Sequence, residues 1–435
     1  MDDAGDTLIQ RCKPPHIVPL SQADLAMINR VREELVFLSI KPPSWRDTDP
    51  AKRRRFFDEV RAVLMDLGGN TVNINRDAQI VTDALSGVGL LDQLLRDPFV
   101  EEIFVRKGEV AVEYDGAFHY LGKLADDRYF EDLAVHVADQ GGATLRGDRP
   151  AVLIDLPGGE RFTAIVPRLS TEGTAINIRT FGRRVKTLEE MECTGTFTKR
   201  GISLEGSLDD IADAEICSRI ARLKNGPDRF LAWVAATLSG SILVAGEMGS
   251  GKTTLLNALS GFLPRQAPLA ALETFRELEI QHPFLLRAVA PAELPEGTNG
   301  VTLDWVLDII YTRMNPAAIL VGEVVGPEAL QFLKATCLGR KALTTIHGGT
   351  VEEALMRLEQ LALATAPELG LPAIRSMIAM GLDVVALMRR VPRNGRVERT
   401  LQAIALITGI DANGEYRLRY LYRANEEHTV PVIEK

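Results

Sequence analysis

The sequence lacks clustered cysteines, a long apolar run and an excess of basic charge, and each shortage narrows what the chain can be. Cys12, Cys193, Cys217 and Cys337 lie far apart with no metal-type spacing, so a reducing compartment fits better than a disulfide framework. No stretch approaches the ~18 uninterrupted apolar residues of a membrane span, so any membrane association is expected to be peripheral. The first ten residues are acidic and have no apolar signal core. Together these features lead us to expect a cytoplasmic protein. A formal charge of −9 speaks against a generally nucleic-acid-binding surface, and no specific nucleic acid partner is expected. Internal repeats and low-complexity tracts are also missing.

What is present is ordinary globular usage, 46% hydrophobic and 25% charged, over 435 residues. That length suggests two or three domains. We expect a helical N-terminal region over 1–84, starting at a Ser21/Asp24 capping box followed by Ile28, Val31, Leu35 and Leu38 at helical spacing. A second amphipathic helix carries Phe56, Phe57, Val60, Val63, Leu64 and Leu67. The basic run Lys52–Arg55 at its start reads as a solvated helix face, with an anionic lipid or acidic partner as the alternative.

Residues 85–181 read as a small α+β domain. Strands are expected at Glu109–Tyr114 and 118–121, at 151–156 and 161–166 around Pro157-Gly158-Gly159-Glu160, and at 175–181, with a helix near 127–139. Residues 182–226 are polar and glycine-containing, and we expect a linker or insertion with one helix near 209–223. From Ser241 the pattern becomes strand, loop, helix. Apolar runs at 242–245, 269–272, 319–321 and 342–346 predict a largely parallel sheet covered on both faces. Residues 383–423 return to strands, so 227–435 forms the last domain and the fold class is α/β.

Gly246-Glu247-Met248-Gly249-Ser250-Gly251-Lys252-Thr253, followed by Thr254, satisfies the phosphate-loop pattern in full. Its glycines let backbone N–H groups curl around a phosphate. Lys252 is suited to the β- and γ-phosphates of ATP, and the Thr253 hydroxyl to Mg²⁺. An apolar strand before the loop and a helical pattern after it place the motif in the context that the chemistry needs.

Three strand ends supply the remaining chemistry. Ala317–Val321 delivers Glu323, expected as a water-and-metal ligand. Leu269–Leu272 delivers Glu273, expected to orient or deprotonate the attacking water, with a surface helix cap as the bland reading. His347 follows the 342–346 strand beside Gly348-Gly349, where it would approach the γ-phosphate; a structural histidine is the alternative.

With these residues in place, the sequence resembles the type II/type IV secretion and pilus-assembly ATPases, most of all the branch that drives Tad/Flp pili, from about Leu85 to Arg423. The resemblance rests on the phosphate loop, the acidic box Glu273-Thr274-Phe275-Arg276-Glu277-Leu278, the Gly322-Glu323-Val324 strand end and the His box Leu343–His347. Gly159–Ala164 and Ile176–Phe181 match as well. It implies a homohexamer in which each subunit pairs a PAS-like N-terminal domain with a RecA-like motor. Such rings sit under an inner-membrane platform protein, peripheral to the membrane. Glu273 takes the general-base position and Glu323 the Walker B acid, and Arg161, Arg179, Arg287 and Arg313 fall in stretches like the family's arginine-bearing ones. The chain departs from the family at Thr274 (usually Asp), Val325 (usually Arg), Ala290-Pro291 (usually Arg-Pro) and Asn315 (commonly Arg). A trans arginine is worth roughly 10³ to 10⁵ in phosphoryl-transfer rate, so such losses point to a slow enzyme.

Two readings follow. In one the chain is an ATP-hydrolysing motor centred on Lys252, Glu273 and Glu323. In the other it is an ATP-binding scaffold or regulator with little turnover. A small-molecule kinase would leave everything before Phe181 unexplained.

Overall fold

Ser21 begins the described helices as expected: its hydroxyl accepts the Asp24 N–H, and the Asp24 carboxylate accepts the Ser21 N–H in return. The computed structural model describes residues 14–47, 49–68, 72–114, 116–145, 149–167, 169–180, 186–197, 214–224, 226–237, 240–290, 302–393 and 396–424. The chain divides into two compact units, Met1–Arg183 and Arg184–Lys435.

In the first unit, helices α1 (Gln22–Phe37), α2 (Pro50–Asp66) and α3 (Ile74–Ser86) share one small core around Ile28, Leu35, Phe56, Val60 and Val81. Asp49 caps α2 and Pro50 occupies its first turn, where a missing N–H costs nothing. The basic run at this helix start is locally engaged. Lys52 lies 2.7 Å from Asp47, Arg53 donates to the Ser86 carbonyl at 2.9 Å, and Arg54 faces Asp58.

A six-stranded antiparallel sheet follows: β1 (Val100–Arg106), β2 (Glu109–Tyr114), β3 (Ala117–Lys123), β4 (Ala151–Asp155), β5 (Arg161–Ile165) and β6 (Ala175–Arg179). Its order is β3-β2-β1-β6-β5-β4. Helix α4 (Asp127–Gly141) shares a core with one face, where Phe130, Leu133 and Val137 join Ile103, Val105, Phe162 and Ile178. Strand alternation then sends Glu102, Arg106, Arg161, Thr163, Asn177 and Arg179 to the other face.

The second unit corrects the expected linker. Helices α5 (Leu188–Cys193) and α6 (Ala214–Arg222) carry Leu188, Met191, Ile216 and Ile220 into the same core as the central sheet. Helix α6 matches the helix expected near 209–223, whereas polar composition masked α5, which is short and has only a narrow apolar stripe. Residues 198–213, the body of the expected insertion, lie outside the described residues, as does Pro291.

Helix α7 (Pro227–Ala236) leads to an eight-stranded sheet. Its strands are β7 (Ile242–Gly246), β8 (Leu269–Glu273), β9 (Leu285–Val289), β10 (Ala318–Val321), β11 (Lys341–His347), β12 (Val384–Arg393), β13 (Arg396–Ile410) and β14 (Tyr416–Arg423). The order is β14-β13-β12-β7-β11-β10-β8-β9, parallel from β12 to β9 and antiparallel beyond β12.

One face packs on α8 (Lys252–Ser260) through Ile242, Val244, Leu255 and Leu259. The other packs on α9 (Glu328–Cys337), α10 (Val351–Thr365) and α11 (Gly370–Gly381) through Leu243, Ala245, Phe332, Leu355 and Ile374. Burying each such aliphatic side chain contributes ~1.5–3 kcal/mol, which fixes the strand ends where the polar residues emerge. Among the described residues no helix is long and apolar enough to cross a membrane.

Candidate nucleotide site

β7 ends on Gly246, whose register partners are His347 on β11 and Met388 on β12. The neighbouring strand comes so close that a Cβ on Gly246 would lie 2.5 Å from the Met388 carbonyl oxygen, so only glycine fits. Gly251 stands at the N-cap of α8 with φ +92°, the left-handed conformation that turns the loop into the helix. Glu247 and Met248 form the exposed outer part of the loop, whereas Ser250 is fully buried and its hydroxyl has no hydrogen-bond partner. Thr253 and Thr254 sit in the first turn of α8, where free N–H groups and the helix dipole favour an anion.

Lys252 is buried, and its Nζ donates to the Gly246 and Glu247 carbonyls at 3.0 Å each. The same Nζ lies 3.2 Å from His347 Nδ1. On the far side of the ring, His347 Nε2 stands 2.9 Å from Glu323 Oε1. That contact is off-axis for a hydrogen bond, which leaves Glu323 Oε1 buried and under-satisfied. An ammonium donating to Nδ1 assigns the proton to Nε2, so His347 joins the loop lysine to the β10 acid in one polar row. The Thr345 hydroxyl donates to the Gly322 carbonyl at 2.8 Å and the Val324 N–H to the Thr345 carbonyl at 2.9 Å, fixing the peptide that carries Glu323.

Glu273, at the end of β8, is held differently. Its Oε1 accepts the Glu277 N–H at 2.7 Å and the Leu278 N–H at 2.5 Å, and its Oε2 takes Arg287 Nη1 at 3.0 Å. Burial pushes its carboxyl above the usual range, against the lowering effect of those hydrogen bonds and of Arg287. Arg287 therefore has a place beside the acid. Arg313 lies in a π-helical turn over Ile310–Met314.

At the divergent positions, the Val325 N–H bonds to Glu328 Oε1 at 2.6 Å, and Asn315 adopts φ +49° with its side chain bonded to Arg340. Ala290 is buried.

Arg161 and Arg179 belong to the first unit, where they are direct cross-strand partners on β5 and β6. With Glu102, Arg106, Thr163 and Asn177 they line a cavity of about 320 Å³. Arg106 donates to the Ile176 carbonyl at 3.0 Å and to Asn177 Oδ1 at 2.6 Å.

Sequence reasoning missed two arginines that do reach the phosphate loop. Arg399 on β13 donates from Nε to the Gly249 carbonyl at 3.0 Å, and Arg390 on β12 lies against Gly249. The available signal was a run of arginines on both sides of Asn394-Gly395, a hairpin dipeptide.

The chain is similar in sequence to known secretion proteins. The family model described as "Type II/IV secretion system protein" matches residues 220–416. The "Type IV secretion system protein PtlH homolog" of Bordetella bronchiseptica is 31% identical over 263 residues, 58% of this chain and 74% of the relative. "Type IV secretion system protein VirB11" of Brucella suis is 30% identical over 300 residues, 67% of this chain and 81% of the relative. The solved Brucella suis VirB11 ATPase in complex with sulphate is 25% identical with a TM-score of 0.37, covering 75% of this chain and 93% of that one. The pilus retraction motor PilT with bound ADP is 18% identical with a TM-score of 0.47, covering 75% and 84%. The chain belongs to the type II/IV secretion system protein family, a family of secretion and pilus ATPases.

Proposed function

We propose that the chain is an ATP-hydrolysing motor working as a homohexamer at the cytoplasmic face of the inner membrane, where it powers pilus assembly or protein secretion through a platform protein. In this reading the second unit is a RecA-like motor and the β-rich part of the first unit a PAS-like domain, and the Tad/Flp branch is the closest functional parallel. The observation that carries the proposal is the polar row Lys252, His347 and Glu323 at the carboxyl edge of a parallel sheet, beside a phosphate loop with an orphaned buried hydroxyl.

Lys252 leaves its loop carbonyls for the β- and γ-phosphates of ATP. His347, released from the ammonium, meets the γ-phosphate and passes the change to Glu323. Glu273 orients the attacking water and accepts its proton at a carboxylate that burial has made more basic. The Thr253 hydroxyl and Glu323 are an oxygen pair of the kind that holds Mg²⁺ together with substrate phosphates. Among the described residues no all-protein metal cluster competes. When bound, Mg²⁺ would neutralise charge on the β- and γ-oxygens.

Val325 stands where the family carries arginine, so compensating charge must come from elsewhere, and we assign it to Arg161 and Arg179 acting on a neighbouring subunit's nucleotide. The test mixes Lys252→Ala subunits with Arg179→Ala subunits. Mixed rings are expected to regain turnover, because a native Arg179 then meets an intact phosphate loop. Rings shown to be mixed that stay inactive at every ratio would reject the trans role and favour the scaffold reading.

A further inference from the structure

β12 runs in register with β7 as far as Met388, opposite Gly246, and then continues to Arg393. β13 returns beside it with Arg390 and Arg399 directly paired. The hairpin therefore rises past the carboxyl edge of the sheet, where open α/β sheets hold ligands. Both arginines turn to the phosphate loop. Besides the Arg399 bond to Gly249, a Cβ on Gly251 would touch Arg399 Cδ at 3.5 Å, and a Cβ on Gly249 would meet Arg390 Nη1 at 2.9 Å. Both side chains are half-buried. Neighbouring Arg389 points away, with Nη2 3.5 Å from the Gly349 carbonyl.

Strand order supplies the direction. His347 and Glu273 end β11 and β8 and Glu323 follows β10, all on one side of β7, whereas β12 and β13 lie on the other. A nucleotide whose terminal phosphate meets Lys252 and those groups must lead its nucleoside away from them, over β12 and β13. We infer that Arg390 and Arg399 form the nucleoside end of the site, gripping the ribose–base portion of a nucleotide bound to the phosphate loop of the same chain. This rests on the phosphate-loop reading above. A guanidinium suits the task, since it donates to ribose oxygens along its edge and stacks on a base with its face.

The test titrates ADP and inorganic tripolyphosphate into the full chain, comparing the parent with Arg390→Gln, Arg399→Gln, the double variant and Lys252→Ala. Thermal melts confirm that each is folded. We expect the double variant to bind ADP at least about tenfold more weakly, with tripolyphosphate affinity within about twofold of the parent. An equal loss for both ligands would overturn the inference, since the arginines would then merely hold the loop. Unchanged ADP affinity would overturn it as well, while a Lys252→Ala protein that loses tripolyphosphate would still leave the phosphate-loop reading standing. If Lys252→Ala binds tripolyphosphate like the parent, that underlying reading fails and this inference with it.

Discussion

Two strand ends in the second unit look alike in sequence and behave differently in space. β8 and the segment after β10 each deliver a glutamate from an apolar run. The Glu273 side chain is 1% exposed, and its carboxylate already holds two backbone N–H groups and one guanidinium. The Glu323 side chain is 36% exposed, with one oxygen facing a histidine at an angle that satisfies neither group. A satisfied carboxylate is fixed in place; an under-satisfied one is available to a cation or water. The first end is thus built to hold an acid of altered basicity, and the second to exchange partners when a ligand arrives.

The largest expected effect removes what both ends serve. Lys252→Ala should lower ATP turnover at least about 100-fold in a protein that still folds, because it is the phosphate-loop cation placed to reach the terminal phosphates. Unchanged affinity and turnover would remove the site itself.

Next, the two glutamates should separate. Glu273→Gln is expected to retain ATP binding while losing about 10²–10⁴-fold in hydrolysis, the usual worth of a positioned base. Glu323→Gln should instead raise the Mg²⁺ concentration needed for half-maximal turnover. Parent-like hydrolysis by Glu273→Gln would mean that its hydrogen bonds make it a purely structural staple and that the comparison has been drawn the wrong way round.

Arg287→Ala sharpens the same contrast. The guanidinium lowers the Glu273 pKa against burial, so its loss should move the acidic limb of the turnover pH profile upward. A limb that stays in place would detach Glu273 from that limb.

How much of this was legible in advance differs between the ends. The phosphate loop and the apolar strands are local patterns, and they were readable. That Glu273 bonds its own loop was not, because Glu277 and Leu278 show no sign in the sequence of turning their N–H groups back. Helix α5 was read as linker because its few apolar residues gain meaning only against the sheet.

The smallest effect lies in the first unit and concerns stability alone. Asp92 is buried, accepts the Val88 N–H at 2.6 Å and has its carboxyl pushed up to about 7, first by burial and then by Asp83. A folded pKa above the ordinary 3.8 contributes stability that is complete below that value and lost as pH rises through about 7. Asp92→Asn should therefore melt about 2–4 °C higher than the parent at pH 8 and flatten the pH dependence of melting between the two values. A lower melting temperature at pH 8 would show that the charged form is stabilising after all.

By itself the sequence determined the phosphate loop, the alternation of apolar strands with helices and the acid or histidine at each strand end, since all of these are written within a few consecutive residues. Tertiary structure alone decided which of them meet. Lys252 and His347 are 95 residues apart, Arg399 and Gly249 are 150 apart, and both pairs are in contact. The sheet order β12-β7-β11-β10-β8 brings them together. Crossover connections set that order by how helices pack on the two faces, and a neighbour chosen by packing leaves no mark in the local pattern of either strand.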